Sequence, residues 1–172
     1  MSRELLVFRH GKSDWGAGAA NDFDRPLNKR GRKSVKQMGR WIRDQCLLPA
    51  RIVSSPATRA RETAVGFCRS AGISESLIHW DERIYAASLG ELLIVLEACP
   101  SGSERIMIVG HNPGFEDLVL FLSDQNVAWP KEAPLMPTAA LAVFEMPADW
   151  SHLEENCARL VGITRPRELA RS

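Results

Sequence analysis

The sequence predicts an α/β protein with three layers, α/β/α, around a mostly parallel central sheet. Three observations carry this. Short apolar runs at Leu5–Phe8, Arg51–Ser54 and Arg105–Val109 stop at Arg9-His10-Gly11, Ser55-Pro56 and Gly110-His111. Runs of this length closed by turn residues are the signature of strands buried on both faces. Between them lie segments of helical periodicity, which places helices on both faces of the sheet. The chain has 172 residues, 45% apolar and 25% charged, enough for one real core, so a single domain over 1–172 is expected.

After the first strand, Val35, Met38 and Ile42 recur at helical spacing between about Asn28 and Gln45. A second helix, Thr58 to Ala71, turns Ala60, Ala64, Phe67, Cys68 and Ala71 inward and stops at Gly72. Leu89–Ala98 forms a third helix, ended by Pro100. Pro113–Leu122 forms a fourth, with Pro113 in its first turn. Asp124–Pro137 holds three prolines and is expected to be a loop. Ala139–Phe144 and Ala158–Ile163 complete the list as late strands.

Composition excludes several classes. Twenty-two Lys and Arg against 21 Asp and Glu leave a net charge of +1, too little for a dedicated nucleic-acid binder. No apolar run approaches the roughly 20 residues that span a bilayer, and the amino end lacks the long apolar stretch of a secretory signal. No membrane or nucleic-acid partner is expected, and the location expected is cytoplasmic. Cys46, Cys68, Cys99 and Cys157 are far apart, with no metal spacing. They are expected to be reduced and to pack as small apolar residues.

Ligands of open α/β sheets bind at the carboxyl ends of the strands. There the sequence puts Arg9-His10-Gly11, Ser54-Ser55-Pro56-Ala57-Thr58-Arg59 and Gly110-His111-Asn112-Pro113-Gly114. Two arginines and two histidines around one hollow suit a phosphoryl group. Arg9 and Arg59 can each offer a planar fork to its oxygens, and the amino end of the fourth helix can add backbone N–H groups. A neutral imidazole can attack phosphorus to give a covalent phosphohistidine. The glycine beside each histidine is expected to leave room for the group to approach. The histidines have no local ligand pairs, so no metal is expected, and no cofactor is implied, because the arginines supply the positive charge.

At these residues the sequence resembles the histidine phosphatase superfamily, whose members include phosphoglycerate mutases and acid phosphatases. Arg9-His10-Gly11, the stretch Ser54-Ser55-Pro56-Ala57-Thr58-Arg59-Ala60-Arg61-Glu62-Thr63-Ala64, and Val109-Gly110-His111-Asn112 match its three motifs in order. Asp22-Phe23-Asp24-Arg25-Pro26-Leu27 and the ending Arg165-Pro166-Arg167-Glu168-Leu169 resemble the SixA group of phosphohistidine phosphatases. The resemblance implies a phosphoglycerate mutase-like fold. It makes His10 the nucleophile, Arg9 and Arg59 the phosphate clamp, His111 a further phosphate contact and Asn112 its neighbour in the phosphate-binding set. Trp80-Asp81-Glu82-Arg83-Ile84-Tyr85 resembles the segment that carries the proton donor in the mutases, which makes the donor Glu82; Asp24 is the weaker alternative. Gly16 stands where mutases place an Asn, which implies one polar phosphate contact fewer.

The activity implied is hydrolysis of a phosphoryl group through a phosphohistidine enzyme intermediate, most of all on phosphohistidine of a protein. Only residues 60–110 separate Arg59 from His111, which leaves little chain to roof a small substrate. The alternative is a phosphomonoesterase for a small metabolite, with the Asp124–Pro137 loop as its lid. Lys29, Arg32, Lys36, Arg40 and Arg43 form a basic stripe on the first helix. A solvated face is the ordinary explanation, and docking of an acidic phosphoprotein is the functional one.

Overall fold

The computed structural model describes residues 3–169. Six strands form one sheet: β1 (Arg3–Arg9), β2 (Arg51–Ser54), β3 (Ile78–Trp80), β4 (Arg105–Gly110), β5 (Leu141–Met146) and β6 (Arg159–Thr164). Their order is β3-β2-β4-β1-β5-β6. The first four strands in sequence are mutually parallel, and β5 runs antiparallel to both its neighbours.

Alternation along the central strands decides what each helix covers. On β1, Leu6 and Phe8 face one side and Leu5 and Val7 the other; on β4, Met107 and Val109 oppose Ile106 and Ile108. The first side is covered by α1 (Lys29–Asp44), through Val35, Met38 and Ile42, and by α2 (Thr58–Ala71), through Ala60, Ala64 and Phe67. The second is covered by α3 (Leu89–Glu97), through Leu92, Val95 and Leu96, and by α4 (Gly114–Leu122), through Phe115, Leu118 and Val119. Each such fully buried Leu, Ile or Phe contributes about 2 kcal/mol of transfer free energy. The helix ends follow local rules. Asn28 Oδ1 accepts from Gly31 N–H at 2.7 Å to start α1, Gly72 closes α2 at φ +75, and Ser88 and Glu91 form a capping box on α3. A short helix, α5 (Pro166–Leu169), ends the described chain.

The structure departs from the sequence reading in several places. Strand β3 has only three residues and only Ile78 of them is buried, too little for a pattern to show. β5 starts two residues later than expected because Ala139 takes φ +61 and donates its N–H to His10 O at 2.9 Å, turning that segment towards the site. Ala158 sits in an isolated bridge with Ser123 instead of in β6. Pro113 caps α4 and does not belong to its first turn. Of the cysteines only Cys68 is fully buried; Cys46 is exposed, at φ +59 just beyond α1. No described helix is long and apolar enough to cross a membrane.

Candidate active site

Strand order brings the motifs together. β4 lies between β1 and β2, so the segments after all three strands open at one edge of the sheet. The His10 backbone is fixed on both sides: its N–H donates to Gly110 O at 3.0 Å, and its carbonyl accepts from Ala139 N–H. His10 and His111 are 5% and 8% exposed, with ring centroids 5.2 Å apart. Arg59, on the first turn of α2, is 6% exposed.

Hydrogen bonds settle the state of the first ring. His10 Nδ1 lies 2.7 Å from Gly11 O. A carbonyl can only accept, so Nδ1 carries the proton and the Nε2 lone pair is left free. Burial, opposed by that bond and helped by His111 and the two arginines, pushes His10 down to about 3. Burial, followed by Arg59, does the same to His111. Both rings are therefore neutral at neutral pH. His111 Nε2 meets Ser55 Oγ at 2.7 Å, and Ser55 Oγ also accepts from Ala57 N–H. The Ser55 proton can thus go to Nε2, which puts the His111 hydrogen on Nδ1. Arg9 Nε, Arg59 Nε and His111 Nδ1 are buried with no partner among the described residues. Unpartnered buried donors on two cations and a histidine are the chemistry that an oxyanion satisfies.

One wall is built by the end of the Asp124–Pro137 segment, where Leu135 and Met136 are fully buried. Met136 O accepts from Arg9 Nη1 at 3.0 Å and from Asn112 Nδ2 at 2.8 Å. Met136 N–H donates to Glu116 Oε2, and Leu135 O accepts from Arg165 Nη2. The loop is expected from sequence, but this anchored end is not, and Arg165 ties the carboxyl-terminal motif to it. Asn112 therefore braces the wall, with its donor group directed at a carbonyl.

In front of His111 a hollow of about 470 Å³ is lined by Asp22, Arg59, Tyr85, Ser88, Glu91 and Asn112, among others. Arg59 Nη1 donates to Asp22 O at 2.7 Å and Nη2 to Asp22 Oδ2 at 2.9 Å. Tyr85 Oη donates to the same Oδ2 at 2.8 Å, and Arg25 Nη2 lies 3.2 Å from Oδ1. The sequence reading missed Asp22 and Tyr85 in these positions. The quoted motifs contained both, but nothing local separates Asp22 from Asp24.

Glu82 is not brought to the hollow. It lies exposed on the tight turn Glu82–Ile84, and its carboxylate has no hydrogen bond or ion pair. The turn directs Tyr85 inward instead. Asp24 is likewise exposed and outside the lining. The glycines also need correcting. A Cβ on Gly11 would lie 2.9 Å from Gly31 O, and one on Gly110 would lie 2.7 Å from Ile84 Cγ2. They permit close packing of the protein on itself, where the sequence reading had them making room for phosphate. The basic stripe is exposed; Arg32, Lys36, Arg40 and Arg43 line a groove of about 780 Å³ between α1 and α2, away from the histidines. Among the described residues no cluster of three or more His, Cys, Asp or Glu is placed to hold a metal.

An α/β sheet that gathers two buried histidines, the buried Arg59 and the half-buried Arg9 at its strand ends has the chemistry that suits a phosphoryl group. The sequence matches the histidine phosphatase superfamily (branch 1) over residues 5–92. An uncharacterised protein of Mycobacterium tuberculosis is 32% identical over 92% of this chain and 99% of its own length. Phosphohistidine phosphatase SixA of Escherichia coli is 29% identical over 81% of this chain and 83% of its own. A solved chain from Nakamurella multipartitia, proposed to be a SixA phosphohistidine phosphatase, superposes with a TM-score of 0.79 at 26% identity, covering 96% of this chain and 97% of that one. A mycobacterial glucosyl-3-phosphoglycerate phosphatase shares the fold at a TM-score of 0.63 and 19% identity, over 94% and 98% of the two chains. The chain belongs to the histidine phosphatase superfamily and is a SixA-like phosphatase.

Proposed function

We propose that this protein hydrolyses phosphohistidine on a partner protein, carrying the phosphoryl group on His10 in between. The observation that carries the mechanism is the Nδ1 bond of His10 to Gly11 O, which leaves a neutral, oriented Nε2 as the attacking atom. Its lone pair forms a bond to phosphorus while the substrate's N–P bond breaks and that electron pair returns to the leaving ring. Arg9, Arg59 and His111 hold the oxygens where negative charge gathers. Water then cleaves the phosphoenzyme and restores His10.

A protein substrate is favoured over a small metabolite by the build of the walls. The Asp124–Pro137 segment, the natural candidate for a lid, has its site end fixed by Arg9, Asn112, Glu116 and Arg165. Between α2 and α3 there are only β3 and two tight turns. An imidazole presented from another surface can reach such a hollow. The test is turnover of a phosphohistidine-bearing protein beside a panel of sugar and nucleotide phosphates. Acid-labile, base-stable label should be trapped on wild type, and His10→Ala should be inactive yet folded. Turnover by His10→Ala overturns the mechanism, and activity confined to one metabolite overturns the substrate.

A further inference from the structure

The hollow has a cationic floor and an anionic mouth. Arg59 supplies the positive charge of the lining, with Arg9 at the end of β1 outside it, while Asp22 lines the hollow half exposed. Asp22 does not merely neutralise Arg59. A carboxylate has about four acceptor positions. Arg59 and Tyr85 occupy those of Oδ2, and Arg25 takes one of Oδ1. One position on Oδ1 remains. Four contacts from three residues, Arg25, Arg59 and Tyr85, one of them to Asp22's own backbone carbonyl, fix the carboxylate beside the arginine that grips the phosphate.

We infer that Asp22 is a specificity-determining residue that accepts a hydrogen bond from the protonated far nitrogen of a phosphoimidazole, selecting nitrogen-linked phosphoryl groups over phosphate esters. This rests on the proposal that the substrate is phosphohistidine. The chemistry distinguishes the two classes. A phosphoimidazole takes a proton from solvent on its free nitrogen, and the ring is then cationic. When the N–P bond breaks, its electron pair returns to the ring, which leaves neutral. A fixed carboxylate beside that N–H favours the protonated, reactive form. An alkyl ester needs the opposite, an acid that gives a proton to a departing alkoxide. Asp22 is unsuited to that role, because the Tyr85 hydroxyl, then Arg59 and Arg25, hold its carboxyl below the usual range. Glu91, the other carboxylate lining the hollow, is tied to Ser88 in the cap of α3.

The test compares phosphoimidazole with p-nitrophenyl phosphate, a small ester whose leaving group needs no proton. Asp22→Asn should lower kcat/KM for phosphoimidazole on the order of ten- to a hundredfold, the scale of one charge-assisted hydrogen bond, and change the ester severalfold less. Tyr85→Phe keeps the carboxylate and should keep the ratio of the two substrates. Equal losses on both in Asp22→Asn would show a residue that only positions Arg59 and would overturn the inference. Wild type that cleaves the ester but no phosphoimidazole or phosphohistidine would overturn the proposed function itself. If Asp22→Asn does not fold, wild type supplies the measurement. Imidazole should compete with the ester more strongly near pH ~5.5, where its ring is charged, than near pH ~8.5, where it is neutral. Benzyl alcohol, neutral at both, should show no such difference. Equal inhibition by both forms of imidazole would overturn the inference.

Discussion

In the floor that the strand ends form, His10, His111 and Arg59 are each under 10% exposed and are held by backbone atoms or by short contacts such as Ser55 Oγ, and of these His111 and Arg59 line the hollow. At its mouth Asp22 is half exposed and held by side chains from distant parts of the chain, Arg59 and Tyr85. The floor is part of the sheet. His10 and His111 follow β1 and β4 directly, and Arg59 sits on the first turn of α2, just after β2. The mouth is assembled from loops that meet over it. Burial makes the histidines of the floor neutral, while its guanidinium groups stay cationic by their own basicity; at the mouth the Tyr85 hydroxyl, then Arg59 and Arg25, favour the charged carboxylate of Asp22. Under the proposed function the floor takes the phosphoryl group common to all substrates, and the mouth takes the leaving group that differs among them.

That division is easiest to break at the floor. Arg59→Lys keeps the charge but loses the planar fork, and with it the bonds to both the Asp22 carbonyl and carboxylate. It should cost on the order of ten- to a thousandfold in rate on every substrate. A near-wild-type Arg59→Lys enzyme would mean that Arg59 supplies only diffuse charge.

The next effect is one of stability. His10 and His111 lie far below the ordinary histidine value, at about 3, chiefly through burial. Above pH ~6.5 both rings are neutral in the folded and unfolded chain, and their contribution is fully present. As pH falls from there towards about 3, the unfolded chain binds protons that the folded chain refuses, so stability is lost. Melting temperature should therefore drop with acid across this window, and His111→Gln should flatten the slope. A variant with the wild-type slope would show that the ring is not buried in its neutral form.

The smallest effect sharpens the boundary of the mouth. Glu82 is exposed, and its carboxylate makes no hydrogen bond or ion pair. Glu82→Gln should stay within about twofold of wild type on both esters and phosphohistidine, as expected for a surface change away from reacting atoms. A large loss on esters alone would restore Glu82 as proton donor and place the mouth on the wrong side of the hollow.

The amino-acid sequence by itself determined the layers of the fold and most of the floor. Buried strands need continuous apolar runs and helices need a repeating face, so Leu5–Phe8, Arg105–Val109 and the Val35-Met38-Ile42 stripe declare themselves locally. Arg9, His10, Arg59 and His111 declare themselves because each stands at a strand end or a helix start. β3 escaped because three residues with one buried side chain carry no period. The placement of Asp22 rather than Asp24 or Glu82 in the hollow, the inward turn of Tyr85 and the anchoring of Met136 were decided only by tertiary structure. Each depends on contacts between residues 24 to 127 positions apart, and no local pattern records which of several equivalent carboxylates or carbonyls will meet an arginine across such a distance. The same holds for Gly11 and Gly110, whose need for hydrogen in place of a side chain comes from Gly31, Ile84 and Phe115 packed against them.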